Sequence, residues 1–281
     1  RELVVAQRPG AAGVDRGKAA FGPELLCRAL CRNFGGREDL LAGALETFGQ
    51  ECFGSPLSEK MLLPVARLVR ENLADRHSRH LMLLTSYGAA LPLMFSHGLV
   101  VHQATPVLVG SAFPEDRHNL YLIQHVNRVK AAMAAGETVV LWNLDNIYES
   151  LYDVLNQRYV VRTSGGKTRR SLRLAIGARS QLCPVEDGFR LIVIVEKDHA
   201  YEDLDLPLLN RFEKFVMEPR SLLASPEMDV AAQLSEWMTS VVGESGLQDV
   251  GTTFCGAHAG LAESLALGQG PAAQATEEEE E

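Results

Sequence analysis

Apolar residues recur with helical spacing in the first quarter of the chain. From Pro23 onward they fall every three or four positions, and the pattern stops at Gly35, where a glycine-type helix end is expected. Two further stretches with the same period follow, over residues 38–52 and 58–74. The pattern therefore predicts a helical segment over residues 23–74.

The spacing of the apolar residues changes after residue 75, where short apolar runs alternate with stretches of helical spacing. Such runs, apolar on both faces, are typical of parallel strands that helices cover on two sides. The sequence thus predicts an α/β core over residues 75–218, with a parallel sheet flanked by helices. Four of its strands are expected at residues 80–85, 106–110, 138–144 and 189–195.

The two ends of the chain carry weaker patterns. Residues 1–22 are rich in Gly and Arg and are interpreted as a linker, whereas residues 219–242 have a helical pattern. Residues 243–281 are predicted to be a flexible, acidic tail that ends in five glutamates. Because the chain begins with Arg and ends in a charge run, we expect it to be a piece of a longer protein.

Composition and charge exclude several classes of function. Hydrophobic residues make up 46% and charged residues 22% of the 281 positions, which is ordinary for a globular protein. The net charge of −9 comes without a basic stripe, so we expect no nucleic-acid partner. Five scattered cysteines lack the spacing of a zinc module or a disulfide framework, which favours a reducing compartment. No apolar run is long enough for a transmembrane segment.

A glycine-lysine motif at Ser164-Gly165-Gly166-Lys167-Thr168 looks like the end of a phosphate-binding loop. That loop needs an earlier glycine where this chain has Val161, and it needs a helix after the lysine. The flanking residues instead predict a polar hairpin over 159–176. The better place for such a loop, residues 85–90, has one glycine and no lysine. An independent nucleotidase that uses Lys167 remains an alternative, which nucleotide binding to the isolated chain would test.

The predicted strand at 138–144 ends without the groups that activate water. In phosphate-loop ATPases the corresponding strand ends in Asp-Glu, where the Asp supports Mg²⁺ and the Glu orients the attacking water. This chain offers Asn143 or Asp145 and no glutamate at that position. We interpret Asp145 as the N-cap of a helix over residues 146–157, because Asp is favoured there.

The most informative run is 196–214, which links an apolar strand to a second strand. An Asn210-Arg211 pair ends a short Leu-rich helix in this run, which directs a guanidinium off the edge of an α/β unit. Arginine stays charged and binds phosphate through a bidentate fork, so a phosphate on a neighbouring unit is a candidate ligand. The alternative is a surface Arg211 paired with Glu213 or Glu196.

Several segments of the chain resemble the mysterin family of giant RING-finger E3 ubiquitin ligases, which carry a dynein-like row of AAA+ units. The likeness is dense over residues 75–217 and absent from the tail. The matching segments are residues 110–116, 127–130, 143–157, 189–194 and 207–214. This resemblance implies an AAA+-like α/β fold and one of the later, degenerate AAA+ units of such a protein.

The resemblance also implies roles for particular residues. Glu196 stands where a polar sensor residue is expected, and Arg211, preceded by Asn210, occupies the position of the arginine finger that reaches the nucleotide of an adjacent unit. Residues 23–74 would be the end of a preceding unit, and residues 219–242 the start of a helical lid. No cofactor or metal is expected in this segment, whereas ATP and Mg²⁺ are implied for neighbouring units.

Partners follow from the same resemblance. They are the adjacent AAA+ units of the same polypeptide and, for the parent protein, a ubiquitin-conjugating enzyme and ubiquitin, with a cytoplasmic location and lipid-droplet association. The chain itself has no RING array of cysteines and histidines. The alternative is a purely structural or protein-interaction module, in which Arg211 pairs with a local carboxylate and the hairpin at 162–173 docks a partner.

Overall fold

The computed structural model describes residues 22–58, 61–111, 113, 118–164, 167–176, 179–245, 249–258 and 260–268. Almost all of the predicted linker 1–22 and the last part of the predicted tail lie outside these residues. The helices are α1 (Pro23–Phe34), α2 (Glu38–Phe53), α3 (Val65–Ala74), α4 (Ala90–Ser96), α5 (Asn119–Ala135), α6 (Tyr152–Leu155), α7 (Lys197–Glu202), α8 (Leu206–Leu209), α9 (Ser225–Ser245), α10 (Val250–Thr253) and α11 (Leu261–Gly268). The strands are β1 (His80–Thr85), β2 (Val107–Val109), β3 (Thr138–Trp142), β4 (Val160–Ser164), β5 (Lys167–Ile176), β6 (Arg179–Val185), β7 (Arg190–Glu196) and β8 (Phe212–Val216).

A five-stranded parallel sheet forms the centre of the fold, in the order β2-β3-β7-β1-β8. All six residues of β1 are buried, as are the first six of β7, which explains the apolar runs Leu81–Leu84 and Leu191–Val195 at their centres. In the register of the central strands, Leu83 lies opposite both Ile194 and Phe215. The prediction of an AAA+-like parallel sheet flanked by helices is confirmed.

Alternate residues of the sheet enter two separate hydrophobic clusters. Met82, Leu84 and Val193 belong to the cluster that includes residues of α5. Leu81 and Leu83 belong to the other cluster, which includes residues of α1 and α3. The first helices of the chain therefore pack directly on the sheet, and the division of the chain at residue 75 stays a prediction.

A second, antiparallel sheet has the order β4-β5-β6. Its residues Leu172, Leu174 and Cys183 are buried in the cluster that covers one face of the main sheet. Lys167 begins β5 opposite Ser164, so the predicted hairpin is confirmed. Because a strand and not a helix follows Lys167, this motif is not a phosphate-binding loop.

The C-terminal part of the described chain is helical. Helix α9 continues beyond residue 242 to Ser245, and α10 and α11 lie within the segment predicted as a flexible tail. Ala262 and Ala266 of α11 are buried, which gives this helix a packed face. In the described ranges, none of the helices combines the length and the apolar character that crossing a membrane requires.

A buried ion pair joins α1 to β8. Arg32 donates from Nε to Glu213 Oε1 at 2.7 Å and from Nη2 to Oε2 at 2.9 Å, and a third bond reaches Ser78. Arg32 is 7% and Glu213 4% exposed. A bidentate pair of this kind is strongly oriented, and removal of Glu213 would leave the buried guanidinium with the more distant Asp75, whose Oδ2 lies 3.9 Å from Nη2.

We expect Glu213→Gln to lower the free energy of unfolding by about 3–5 kcal/mol, because Arg32 would keep its charge in a buried site. Asp39→Asn is the control, since Asp39 forms an exposed pair with Arg37. Urea unfolding followed by circular dichroism measures both variants. Equal losses in the two would contradict the importance given to the buried pair.

Candidate functional site

The carboxyl ends of the parallel strands meet at one edge of the main sheet, where open α/β sheets bind ligands. Strand β1 ends at Thr85, β3 at Trp142 and β7 at Glu196. A short loop, residues 86–89, leads from β1 into α4. This loop occupies the place that a phosphate-binding loop takes in nucleotide-binding α/β domains.

Two consecutive backbone N–H groups of this loop bind the carboxylate of Glu196. Tyr87 N lies 2.9 Å from Oε2 and Gly88 N lies 2.8 Å from Oε1. Both residues have positive φ, 56° at Tyr87 and 69° at Gly88. Successive N–H groups in such a turn form a concave site for anions. Glu196, which the resemblance placed at the sensor position, is therefore the anionic ligand of the loop.

Trp142 packs against the loop from the neighbouring part of the sheet. A Cβ atom added at Gly88 would lie 2.7 Å from Cζ2 of the indole, and the positive φ at Gly88 also disfavours a side chain. Glycine is thus required at position 88 both by the backbone conformation and by the tryptophan.

The hydroxyl groups of the loop region also have internal partners. Thr85 Oγ1 accepts a hydrogen bond from Ala90 N at 3.0 Å, and Ser86 Oγ donates to Glu218 Oε1 at 2.7 Å. The loop contains no lysine. The hydroxyl groups of Thr85 and Ser86 are thus both hydrogen-bonded within the protein.

The turn after β3 differs from its prediction. Asn143 has a φ of 52°, and a 3₁₀ helix, Asp145–Ile147, and the short α6 replace the helix predicted over 146–157. The Asp145 side chain caps no helix; Oδ2 lies 2.5 Å from Nε2 of His199. Hydrogen bonds to Asp145 and then to Asp203 raise the pKa of His199. The capping prediction is wrong because an imidazole from α7 competes for the carboxylate.

Arg211 lies at the opposite end of the sheet from the loop. Strands β1 and β8 run parallel with His80 opposite Phe212, which Arg211 directly precedes. At about 3.3 Å per residue, Arg211 is about 20 Å from the loop along the strand direction. An arginine side chain cannot cover this distance, so Arg211 does not serve the loop of its own unit.

The guanidinium of Arg211 stacks on an aromatic ring. Its Cζ lies 4.2 Å from the ring centroid of Tyr152, a cation–π contact, and the side chain is half-buried. The Cζ atom of Arg158 lies 5.2 Å from the centroid of the same ring. The two guanidinium groups therefore share one tyrosine at this end of the sheet.

Neither carboxylate that the sequence offered as a partner contacts Arg211. Glu213 binds Arg32, and Glu196 binds the loop after β1. Over the part of the chain that the structure describes, Arg211 forms no ion pair. The half-buried guanidinium thus has an aromatic support but no counter-ion of its own.

Backbone contacts hold the segment that carries Arg211. Arg79 Nη1 donates to the carbonyl of Asn210 at 3.0 Å, and Lys214 Nζ donates to the carbonyl of Leu209 at 2.8 Å. Burial, followed by the charge of Arg79, lowers the pKa of Lys214 to about 8. Asn210 contributes its main chain to this anchor and no described side-chain bond.

In the described ranges, no group of three His, Cys, Asp or Glu side chains is close enough together to hold a metal ion.

The packing of Trp142 on the loop and the support of Arg211 by Tyr152 were not predicted from the sequence. The only sequence signal for Tyr152 was its place in the specific 143–157 segment. No local pattern indicates which arginine it contacts.

Comparison with known proteins gives a specific match. A family model described as the RNF213 AAA domain matches residues 70–223. The E3 ubiquitin-protein ligase RNF213 of Mus musculus is 33% identical over 230 residues, and that of Homo sapiens is 33% identical over 232 residues. The E3 ubiquitin-protein ligase rnf213-beta of Danio rerio is 32% identical over 219 residues.

These alignments cover most of this chain and little of the relatives. They include 78% of the chain for the mouse and human proteins and 75% for the zebrafish protein. The chain spans about 4% of the length of each relative. The resemblance drawn from the sequence motifs is confirmed by these matches.

We expect Glu196→Ala to lower the free energy of unfolding by about 1–2 kcal/mol, because two N–H groups would lose a charged acceptor. Glu196→Gln keeps one acceptor oxygen and should lose less. Glu202→Ala, at an exposed position of α7, is the matched control. Urea unfolding gives the stabilities, and amide exchange should become faster at Tyr87 and Gly88 only in the Glu196 variants. Unchanged exchange there would refute the carboxylate as the acceptor.

Proposed function

The chain belongs to the RNF213 AAA-domain family, and from this premise we propose that it is a nucleotide-inactive unit of an AAA+ ring that supplies Arg211 to a neighbouring unit. The parent protein is proposed to be an E3 ubiquitin-protein ligase with an AAA+ ATPase core, as its relatives are named. Its partners would be a ubiquitin-conjugating enzyme and ubiquitin, and neighbouring units would bind ATP and Mg²⁺.

The loop after β1 supports the absence of nucleotide binding. A phosphate-binding loop uses free backbone N–H groups and a lysine to hold phosphate. Here Glu196 accepts from Tyr87 and Gly88, and its negative charge would lie where a phosphate has to enter. The same turn shape is thus kept by an internal carboxylate instead of a ligand.

The environment of Arg211 is the observation that supports its proposed role at a neighbouring unit. The guanidinium lies far from its own loop, rests on Tyr152 and has no carboxylate partner within the described residues. A structural arginine at a half-buried position is normally paired, because an isolated charge loses hydration there. An anion supplied by an adjacent unit would complete this site.

The chemistry follows from the charge that builds up during phosphoryl transfer. The transferring group spreads negative charge over its oxygens, and an arginine contributed by a neighbour stabilises that charge. A fork that already rests on an aromatic ring loses less conformational freedom when it binds. Tyr152 would therefore position Arg211, and the adjacent unit would hold the nucleotide.

Nucleotide titration separates the roles of this unit and of its neighbours. The isolated chain should show no binding of ATP·Mg²⁺ by calorimetry up to millimolar concentrations, because its loop is occupied and has no lysine. The full-length protein that contains the chain should bind and hydrolyse ATP. Micromolar binding by the isolated chain would overturn the assignment of an inactive unit.

Arg211→Ala in the full-length protein should reduce turnover at the neighbouring site by about 10³–10⁵-fold, the range known for arginine fingers. Arg211→Lys should not restore it, because an ammonium lacks the planar fork. Tyr152→Phe should retain activity and Tyr152→Ala should lose part of it, whereas Arg128→Ala, at an exposed position of α5, is the control. An ATPase rate that is unchanged by Arg211→Ala would exclude the finger role and favour a purely structural module.

A further inference from the structure

The outward face of the β4-β5-β6 sheet carries three arginines. Cross-strand partners share a face of a sheet, and Arg162 lies directly opposite Arg169. Arg173, four residues along β5, is on the same face, opposite Leu182 of β6. All three arginines are exposed, whereas Leu172 and Leu174, which alternate with them, are buried. We call this surface the basic face: Val160, Arg162, Arg169, Arg173 and Leu182.

The three strands differ in charge from the rest of the protein. They contain six basic residues and no Asp or Glu, although the whole chain has a net charge of −9. The basic residues are Arg162, Lys167, Arg169, Arg170, Arg173 and Arg179. A positive sheet on an acidic protein is an electrostatic signal for an acidic partner.

The arginines of the basic face differ from Arg170 in their contacts with the described residues. Across the described ranges, Arg162, Arg169 and Arg173 form no ion pair or side-chain hydrogen bond. Arg170, on the opposite face, shows the contrast: it binds Asp187 and lies 4.8 Å from the ring centroid of Tyr159. The fold thus gives the inward arginine an ion-pair partner and gives the outward ones none among the described residues.

Protection of sheet edges does not account for this pattern. Charged residues often keep edge strands from pairing with other chains. Arg169 and Arg173, however, lie on β5, which is the central strand of this sheet. Like charges directly opposite each other, as at Arg162 and Arg169, also destabilise a strand pair. A bound anion would remove that cost.

We propose that the basic face is a docking surface for an extended acidic segment of a partner protein. Arg169 and Arg173 are about 13 Å apart along the strand, the span of residues i and i+4 in an extended chain. Carboxylates at that spacing would bind these arginines, with Arg162 reinforcing one end. Leu182 is 41% and Val160 39% exposed, and they would contact aliphatic side chains between the carboxylates.

A polypeptide fits this surface better than a nucleic acid or a membrane. The three strands contain no Phe, Tyr or Trp, so they offer no ring on which bases could stack. The net charge of −9 would repel a long polyanion or an anionic bilayer outside the small basic area. A short acidic segment meets only the positive part of the protein.

Charge reversal on the intact chain tests the proposal. The probe is a labelled peptide, Glu-Ser-Val-Ser-Glu-Ser-Val-Ser-Glu, with a Lys-for-Glu version as the negative probe, and fluorescence anisotropy gives the affinity. Arg162→Glu with Arg169→Glu should weaken binding about tenfold or more, the sum of two lost ion pairs and two repulsions. Arg128→Glu with Arg220→Glu changes the net charge equally at exposed positions outside this face and should bind like the original chain.

Each other outcome counts against the docking surface. Equal affinity of the two double variants, or no binding of the acidic probe to the original chain, would refute it. Tighter binding of oligothymidylate or of phosphatidylserine vesicles, lost in the same variant, would replace the peptide by a different class of partner. If the double variant Arg162→Glu, Arg169→Glu does not fold, as judged by circular dichroism, the single variant Arg173→Glu replaces it. The proposal then requires that Arg173→Glu weaken binding of the acidic peptide about threefold.

Discussion

The carboxylate of Glu196 is bound by two consecutive N–H groups at the carboxyl end of the sheet, and the character of that edge depends on this contact. A turn that points two donors in one direction needs an anion or water to satisfy them. In this chain the anion is part of the protein. The two donors of the turn between β1 and α4 are therefore already in use within the protein.

The carboxylates of the sheet region pair with particular cationic side chains, and this determines which cations have no ion-pair partner among the described residues. Glu213 is committed to Arg32 in the core, and Asp145 and Asp203 to His199. Arg211 is left with an aromatic ring as its support. The two ends of one parallel sheet thus differ: at one end the N–H groups of Tyr87 and Gly88 bind Glu196, whereas at the other end Arg211 forms no ion pair with any described residue.

Much of the fold was accessible from the sequence because buried parallel strands require uninterrupted apolar runs. Strands β1, β3 and β7 follow from such runs, and the hairpin of β4 and β5 was also predicted from its own residues. The contacts of the site could not be predicted in this way. Gly88 and Glu196 are 108 positions apart, and no local pattern says that one accepts from the other. The turn after β3 was mispredicted for the same reason, because the partner of Asp145 comes from a distant helix.

The contact between the indole of Trp142 and Gly88 restricts which substitutions could let this loop bind a ligand. A lysine introduced into the loop would meet Glu196 before it met a phosphate, and removal of Glu196 alone would leave unsatisfied donors beside a ring that still fills the space. On the proposed function, a unit able to bind nucleotide would therefore need changes at Glu196, at Trp142 and in the loop together, because each of these groups fills or closes the same space.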